Sequence, residues 1–236
     1  MPRKPHSQFP IPVITVLMKP GAFLFDLNGT MIDDMEYHVN AWYDILNNDL
    51  KAGLSWPQVR EQTYGKNSEL LVRVFGEGKL DDARMNELSF EKEKRYQQTY
   101  LSSLQLIPGL ESFMNRARAN KIPMAIGSAA VRFNIDFVLD NLHIRDRFAA
   151  IVSADDVAIS KPHPETFLKA ARLLGVPSCD CVVFEDAPKG VEAALNAGMK
   201  AVVLTTMHAA EEFEAYSNIL VFVNDYEDPI LSKLFG

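Results

Sequence analysis

The sequence contains few cysteines. Only two occur among 236 residues, Cys179 and Cys181, which are one residue apart. No further Cys or His stands at metal-ligand spacing from them, so they are either a fragment of a metal site or two reduced structural thiols. Reduced thiols are usual in the cytoplasm. We therefore expect structural thiols in a cytoplasmic protein.

An excess of positive charge is also missing. The formal net charge is −7, from 24 Lys and Arg against 31 Asp and Glu. A nucleic-acid-binding surface needs a basic patch, so we expect no nucleic-acid partner. A phosphorylated ligand is not excluded, because a local lysine, a helix N-terminus or a bound cation can reverse the field inside one pocket.

No apolar run approaches the roughly 18 residues that span a bilayer, so we expect no membrane partner. The first twenty residues hold five of the thirteen prolines. Pro10 and Pro12 interrupt the segment, which argues against a signal peptide. We predict that residues 1–20 form a disordered or additional tail, and Met18 is an alternative start. We expect a monomer or a weak homo-oligomer.

Six short apolar runs predict the strands of one sheet. They cover residues 22–25, 123–126, 149–152, 181–184, 201–204 and 219–222. Helical patterns separate them, for example Leu110, Phe113, Met114 and Ala117 at spacings of three and four. Strands that alternate with helices predict an α/β fold with a doubly wound parallel sheet.

Residues 34–103 break this alternation because they show helical periodicity only. An all-helical insert directly after the first strand predicts a cap over the carboxyl edge of the sheet, where ligands bind in open α/β folds. We therefore predict a core formed by residues 21–33 and 104–236, and a helical cap formed by residues 34–103.

Four polar segments follow predicted strand ends. They are Asp26–Thr30, Gly127–Ala130, Ser160–Pro164 and Phe184–Gly190. Each segment alone is compatible with an ordinary turn. Together they bring a hydroxyl, an ammonium and several carboxylates to one edge of the sheet.

These groups match what phosphoryl transfer requires. Asp26 can attack phosphorus and form an aspartyl phosphate. Asp26 and Asp186 can hold Mg²⁺, which prefers oxygen ligands and substrate phosphate. Ser128 and Lys161 can bind the phosphoryl oxygens as charge develops on them. The sequence therefore predicts a magnesium-dependent enzyme that acts on a small phosphorylated metabolite.

The order of these residues resembles the four motifs of the haloacid dehalogenase superfamily. The matching residues are Asp26-Leu27-Asn28-Gly29-Thr30, Ser128, Lys161 and Glu185-Asp186. The resemblance extends from Gly21 to about Thr205, and it is most similar to the β-phosphoglucomutase-like branch. It implies a Rossmann-like core in which Asp26, the main-chain carbonyl of Asn28 and Asp186 bind Mg²⁺. Glu185 would orient that site.

The same branch implies a set of substrate-binding residues. They are His38, Trp42, Gly65, Lys66, Lys92, Ala129 and Arg132. Other interpretations remain open: His38 can be a hinge or packing residue, and Trp42 can belong to the cap core. The run from Glu91 to Arg95 can be a solvated helix face. Asp33 and Asp34 can cap the first cap helix.

Three departures separate the chain from a mutase. Asn28, natural or engineered, replaces the second Asp of the first motif, which acts as general acid and base. The loop near Gly65 offers Lys66 but no Arg, and Ser128 is followed by Ala-Ala-Val-Arg in place of Ser-Lys-Asn.

We predict a phosphatase of small metabolites, sugar phosphates above all, that works through an aspartyl phosphate. The alternatives are a β-phosphoglucomutase, a phosphate-binding inactive relative and a metal-independent dehalogenase. The paired Glu185 and Asp186 disfavour the dehalogenase, because its reaction has no use for a cation site.

Overall fold

The computed structural model describes residues 19–236. The predicted tail lies outside the described residues except for its last two positions. Lys19 Nζ donates to the Asn120 carbonyl at 3.0 Å, and Pro20 is buried. These two residues therefore pack against the folded part of the chain.

Six parallel strands form one sheet in the order β3-β2-β1-β4-β5-β6. They are β1 (Ala22–Phe25), β2 (Met124–Gly127), β3 (Ala150–Val152), β4 (Cys181–Glu185), β5 (Lys200–Leu204) and β6 (Ile219–Val223). Every predicted strand is present, with each end within one residue of its predicted position. The prediction of a parallel α/β fold is confirmed.

Helices cover both faces of the sheet. They are α5 (Leu110–Ala119), α6 (Arg132–Asn141), α7 (Glu165–Leu174) and α8 (Pro188–Asn196). Alternate residues of β1 point to opposite faces. Phe23 and Phe25 pack with α5 and α6, whereas Ala22 and Leu24 pack with α7 and α8. Burial on both faces explains why the strands are continuous apolar runs.

Between β1 and α5 the described chain forms a helical cap, as predicted. Its helices are α1 (Met35–Asp44), which continues as a π-helical turn (Ile45–Asp49), α2 (Trp56–Gln62), α3 (Asn67–Phe75) and α4 (Asp82–Tyr100). Trp42, Leu46 and Leu71 belong to a separate apolar core inside the cap. Tyr96 and Tyr100, at the end of α4, pack into the apolar core on the face of the sheet that α5 and α6 cover. Within residues 19–236, no helix is both long and apolar enough to cross a membrane.

Candidate active site

The carboxyl ends of β1 and β4 bring three carboxylates together. The Asp26 N–H donates to the Phe184 carbonyl at 3.0 Å, which extends the pairing of the two strands and places Asp26 beside Glu185 and Asp186. Gly29 adopts a φ of +71°, and a Cβ at this position would collide with the Asp186 carboxylate. A glycine is therefore required where the loop after β1 packs against Asp186.

Lys161 joins the ends of these two strands. Its Nζ donates to Asp26 Oδ1 and Glu185 Oε1, both at 2.7 Å, and its side chain is 7% exposed. The other oxygen of Glu185 accepts the N–H groups of Asp186 and Ala187, each at 2.9 Å. Glu185 therefore holds both the lysine and the turn that carries Asp186.

The charges of this cluster do not balance, because three buried carboxylates face one ammonium. Burial raises the pKa of Asp26 to about 6, although Lys161 opposes the shift. Burial, Glu185 and Asp26 raise the pKa of Asp186. Burial by itself would lower the pKa of Lys161, but Asp26 and Glu185 outweigh that effect and raise it, so the ammonium is retained. The residual negative charge would be relieved by a divalent cation.

The oxygen atoms at this edge of the sheet are suitable ligands for a hard cation. Thr30 Oγ1 donates to Asp186 Oδ1 at 3.2 Å, and within residues 19–236 no hydrogen bond is formed to Asp186 Oδ2. The described residues contain no group of three or more His, Cys, Asp or Glu side chains arranged to hold a metal ion. A Mg²⁺ ion here would therefore depend on two carboxylates, a main-chain carbonyl, water and the substrate phosphate, which is a usual ligand set for magnesium.

Ser128 lies at the end of β2 and is buried. Its N–H donates to the Val152 carbonyl at 3.0 Å, which anchors the turn to β3. Its hydroxyl accepts the Ala130 N–H at 3.2 Å, and Ser128 and Asp26 line the same cavity. Ser128 therefore presents a hydroxyl group at the same edge of the sheet as Asp26.

A cavity of about 830 Å³ separates this edge of the sheet from the cap. Its volume is typical of small-molecule sites. The predicted site residues that line it are Asp26, Asn28, His38, Trp42, Gly65, Lys66, Lys92, Ser128, Ala129, Lys161, Glu185 and Asp186. Arg132 is absent from the lining. Its guanidinium donates to the Ile151 carbonyl and to Asp156, so its placement does not support the predicted substrate contact.

The cap loop between α2 and α3 and the start of α3 form hydrogen bonds to the core. Lys66 Nζ donates to the Val157 carbonyl at 2.7 Å, and Ser160 Oγ donates to Glu69 Oε1 at 2.7 Å. Lys66 therefore lines the cavity, and its ammonium connects the cap to the loop that carries Lys161.

The interpretation of residues 91–95 as a solvated face is wrong for two of them. Lys92 and Glu93 are buried, and Lys92 Nζ lies 2.6 Å from His38 Nδ1 and 3.1 and 3.0 Å from the two oxygens of Glu93. Asn134 of α6 donates to Glu93 Oε2 at 2.5 Å, which adds a polar link between core and cap. The sequence did contain a signal, because Lys92 shares an i, i+4 stripe with Leu88, Tyr96 and Tyr100.

Asp34 belongs to the same network, and sequence reasoning missed it. It occupies the N-cap position of α1, but its side chain forms no capping hydrogen bond, so the interpretation as a helix cap is wrong. The fully buried carboxylate instead accepts from Asn28 Nδ2 at 2.5 Å and from the Tyr96 hydroxyl at 2.6 Å. Burial and the nearby Asp34 raise the pKa of Tyr96, which therefore remains a donor.

Comparison with known proteins agrees with this geometry. A family model described as haloacid dehalogenase-like hydrolase matches residues 20–198. The chain is 32% identical to fructose-1-phosphate phosphatase YqaB of Escherichia coli, covering 77% of this chain and 95% of that protein. It is 34% identical to the β-phosphoglucomutase of Bacillus subtilis, covering 77% and 81% respectively. The structure of β-phosphoglucomutase from Clostridium difficile superimposes with a TM-score of 0.79, at 25% identity over 92% of this chain and 97% of that one.

The matched segment contains all four strand ends that build the site, and it includes the cap. The chain belongs to the haloacid dehalogenase-like hydrolases, in the β-phosphoglucomutase-like branch, and is an enzyme.

Proposed function

We propose that this chain is a phosphatase of small phosphorylated metabolites, sugar phosphates in particular, and that it forms an aspartyl phosphate on Asp26. The observation that supports this most is the placement of Asp26. It is a buried carboxylate, bound by Lys161, that lines the cavity between the sheet and the cap. The names of two relatives, a fructose-1-phosphate phosphatase and a β-phosphoglucomutase, support the choice of sugar phosphates.

In the first half-reaction an oxygen of Asp26 attacks phosphorus, and the bond from phosphorus to the leaving oxygen breaks. A pKa of about 6 leaves Asp26 mostly ionised at neutral pH, as a nucleophile must be. Lys161 and Ser128 offer an ammonium and a hydroxyl to the phosphoryl oxygens, which carry the charge of the transition state.

Asp26, the Asn28 main-chain carbonyl and Asp186 would hold Mg²⁺, and Glu185 would fix the turn that presents Asp186. When bound, the ion neutralises charge on the transferring phosphoryl group. The cap excludes water from the cavity during the first step.

Lys66 favours hydrolysis over mutase chemistry. A mutase needs a cation in the cap to hold the phosphate that is not reacting. Among the described residues, three cap cations line the cavity, and each is already bound: Lys66 to the Val157 carbonyl, Arg60 to the Met207 carbonyl and Lys92 to Glu93. Water is then the simplest acceptor of the phosphoryl group from Asp26.

The experiment is a phosphate-release screen over a panel of sugar phosphates and other metabolites, with Mg²⁺ or with EDTA. Asp26→Asn should abolish release, because an amide cannot form the acyl phosphate. The exposed Asp146→Asn serves as the matched control and should retain full activity. Persistent turnover by Asp26→Asn, purified free of contaminating phosphatase, would rule out Asp26 as the nucleophile.

A further inference from the structure

Three consecutive carbonyl groups in the turn after β1 accept hydrogen bonds from distant parts of the chain. The donors lie after β5, after β6 and before α5, and the pairs are Thr206 Oγ1 to Gly29 at 2.6 Å, the Tyr226 hydroxyl to Thr30 at 3.1 Å and the Ile107 N–H to Met31 at 2.9 Å. Within residues 19–236 the preceding carbonyl, that of Asn28, accepts no hydrogen bond. The core therefore fixes the turn beside the carbonyl proposed to bind Mg²⁺.

Thr30 connects this turn to Asp186. Its carbonyl accepts from the Tyr226 hydroxyl, and its own hydroxyl donates to Asp186 Oδ1 at 3.2 Å. Thr30 is fully buried, so each of these polar groups needs its partner in the protein. Because Oδ1 is bound by Thr30, the orientation of the Asp186 carboxylate depends on where the turn holds that threonine.

The ring of Tyr226 packs beneath the two strands that carry the carboxylates. Its centroid lies 6.3 Å from that of Phe25 and 5.5 Å from that of Phe184. These two residues directly precede Asp26 and Glu185. The tyrosine therefore contacts the ends of both strands with its ring and the turn with its hydroxyl.

The main chain of Tyr226 is anchored at the start of α5. Its N–H donates to the Pro108 carbonyl at 2.9 Å. Gly109 has a φ of +80°, and a Cβ there would lie 2.6 Å from the carbonyl carbon of Tyr226. A glycine is therefore needed for the two segments to approach this closely. Anchored through its ring and its main chain, Tyr226 presents its hydroxyl at a defined position.

We propose that Tyr226 is a positioning residue for the cation site: its hydroxyl holds Thr30, and Thr30 fixes how the Asp186 carboxylate is presented to a divalent cation. The proposal rests on the magnesium-dependent function proposed above. It assigns a role at that site to a residue beyond the segment 20–198 that the family model matches. Partners that orient metal ligands typically contribute about 10–100-fold to metal affinity or activity.

Tyr226→Phe tests this role, because it removes the hydroxyl and keeps the ring. Calorimetry with Mg²⁺ alone should give a dissociation constant about tenfold higher than that of wild type. The Mg²⁺ concentration for half-maximal turnover of an aryl phosphate should rise in the same proportion, whereas turnover at saturating Mg²⁺ should match wild type. This split distinguishes a positioning role from a general loss of folded protein.

Tyr216→Phe is the matched control. Tyr216 also lies in the C-terminal part of the chain, but it packs on the opposite face of the sheet, which α7 and α8 cover. This variant should bind Mg²⁺ as tightly as wild type. An unchanged affinity in Tyr226→Phe, or an equal loss in Tyr216→Phe, would overturn the proposal. So would a wild-type protein that binds no Mg²⁺.

A double-mutant cycle with Thr30→Val tests the connection through Thr30. Valine keeps the shape of the side chain and removes the hydroxyl that binds Asp186. Tyr226→Phe should weaken Mg²⁺ binding less in the Thr30→Val background than in wild type, because the two changes interrupt the same chain of contacts. Fully additive losses would show that Tyr226 does not act through Thr30.

Hydrogen exchange in EDTA measures the turn without metal or substrate. The N–H groups of Thr30 and Met31 donate to the Leu27 carbonyl within the turn. These amides should exchange faster in Tyr226→Phe than in wild type, and at the wild-type rate in Tyr216→Phe. Equal protection in Tyr226→Phe and wild type would overturn the positioning role. If exchange and Mg²⁺ binding change as expected but no ester is turned over, the phosphatase function fails and the positioning role stands.

Discussion

Lys161→Met would remove the ammonium between Asp26 and Glu185 while keeping a side chain of similar length. Lys161 Nζ lies 2.7 Å from both carboxylates, and the lysine side chain is 7% exposed. Removing one partner of a buried ion pair costs about 3–5 kcal/mol, because the remaining charge is left uncompensated. For a chain of this length each kcal/mol shifts Tm by about 2–4 °C, so Tm should fall by about 10 °C.

The loss of stability should depend on pH. The pKa of Asp26 is raised from 3.8 to about 6 in the folded protein. An acid with a raised pKa stabilises the folded state below the unfolded pKa, and that contribution is lost as pH rises from about 4 to about 6. Without Lys161 the pKa of Asp26 rises further, so this loss continues above pH 6. The variant should therefore be much less stable than wild type at pH 8 and closer to it at pH 5.

Urea unfolding in EDTA at pH 5, 6.5 and 8 measures this difference. Lys169→Met is the control, because Lys169 Nζ donates to a main-chain carbonyl, that of Asp156, at 2.5 Å and forms no salt bridge within residues 19–236. Equal destabilisation by Lys161→Met at pH 5 and pH 8 would refute the electrostatic reasoning. So would a loss no larger than that of the control.

Two further predictions concern the cation and the cap. Asp186→Ala should eliminate Mg²⁺ binding in calorimetry, because it removes one of two carboxylates from the proposed site. An unchanged affinity for Mg²⁺ would show that the ion binds elsewhere. Lys66→Ala should lower kcat/KM about tenfold for a sugar phosphate and for a small aryl phosphate alike, because its ammonium fastens the cap to Val157. A loss confined to the sugar phosphate would instead show that Lys66 leaves this carbonyl to bind substrate.

The sheet and the catalytic edge could be predicted from the sequence, because both depend on strong local signals. A parallel strand buried on both faces is a continuous apolar run, and such a run ends directly before Asp26 and close to Asp186. Parallel strands bring their carboxyl ends to one edge of the sheet. Polar residues that follow different strands can therefore be assigned to one site from the sequence, although they are distant in the chain.

The cap network could not be predicted in the same way. Asp34 and Lys92 are polar residues in segments where solvent exposure or helix capping is the usual outcome. Their burial is stabilised by partners from other elements, among them Tyr96 and His38, and these contacts depend on how the cap packs. The direction of the Arg132 side chain could not be predicted either. Its guanidinium donates to Asp156, and the residue does not line the cavity.

The most direct test of the account is to trap the enzyme during turnover. Protein incubated with Mg²⁺ and an aryl phosphate would be quenched in acid, digested and examined by mass spectrometry. Because Asn28 cannot deprotonate water, the account predicts that a phosphorylated peptide accumulates, carries its phosphoryl group on Asp26, and is absent from Asp26→Asn. Turnover without phosphate on Asp26, or with phosphate on another residue, would contradict the claim that Asp26 is the nucleophile.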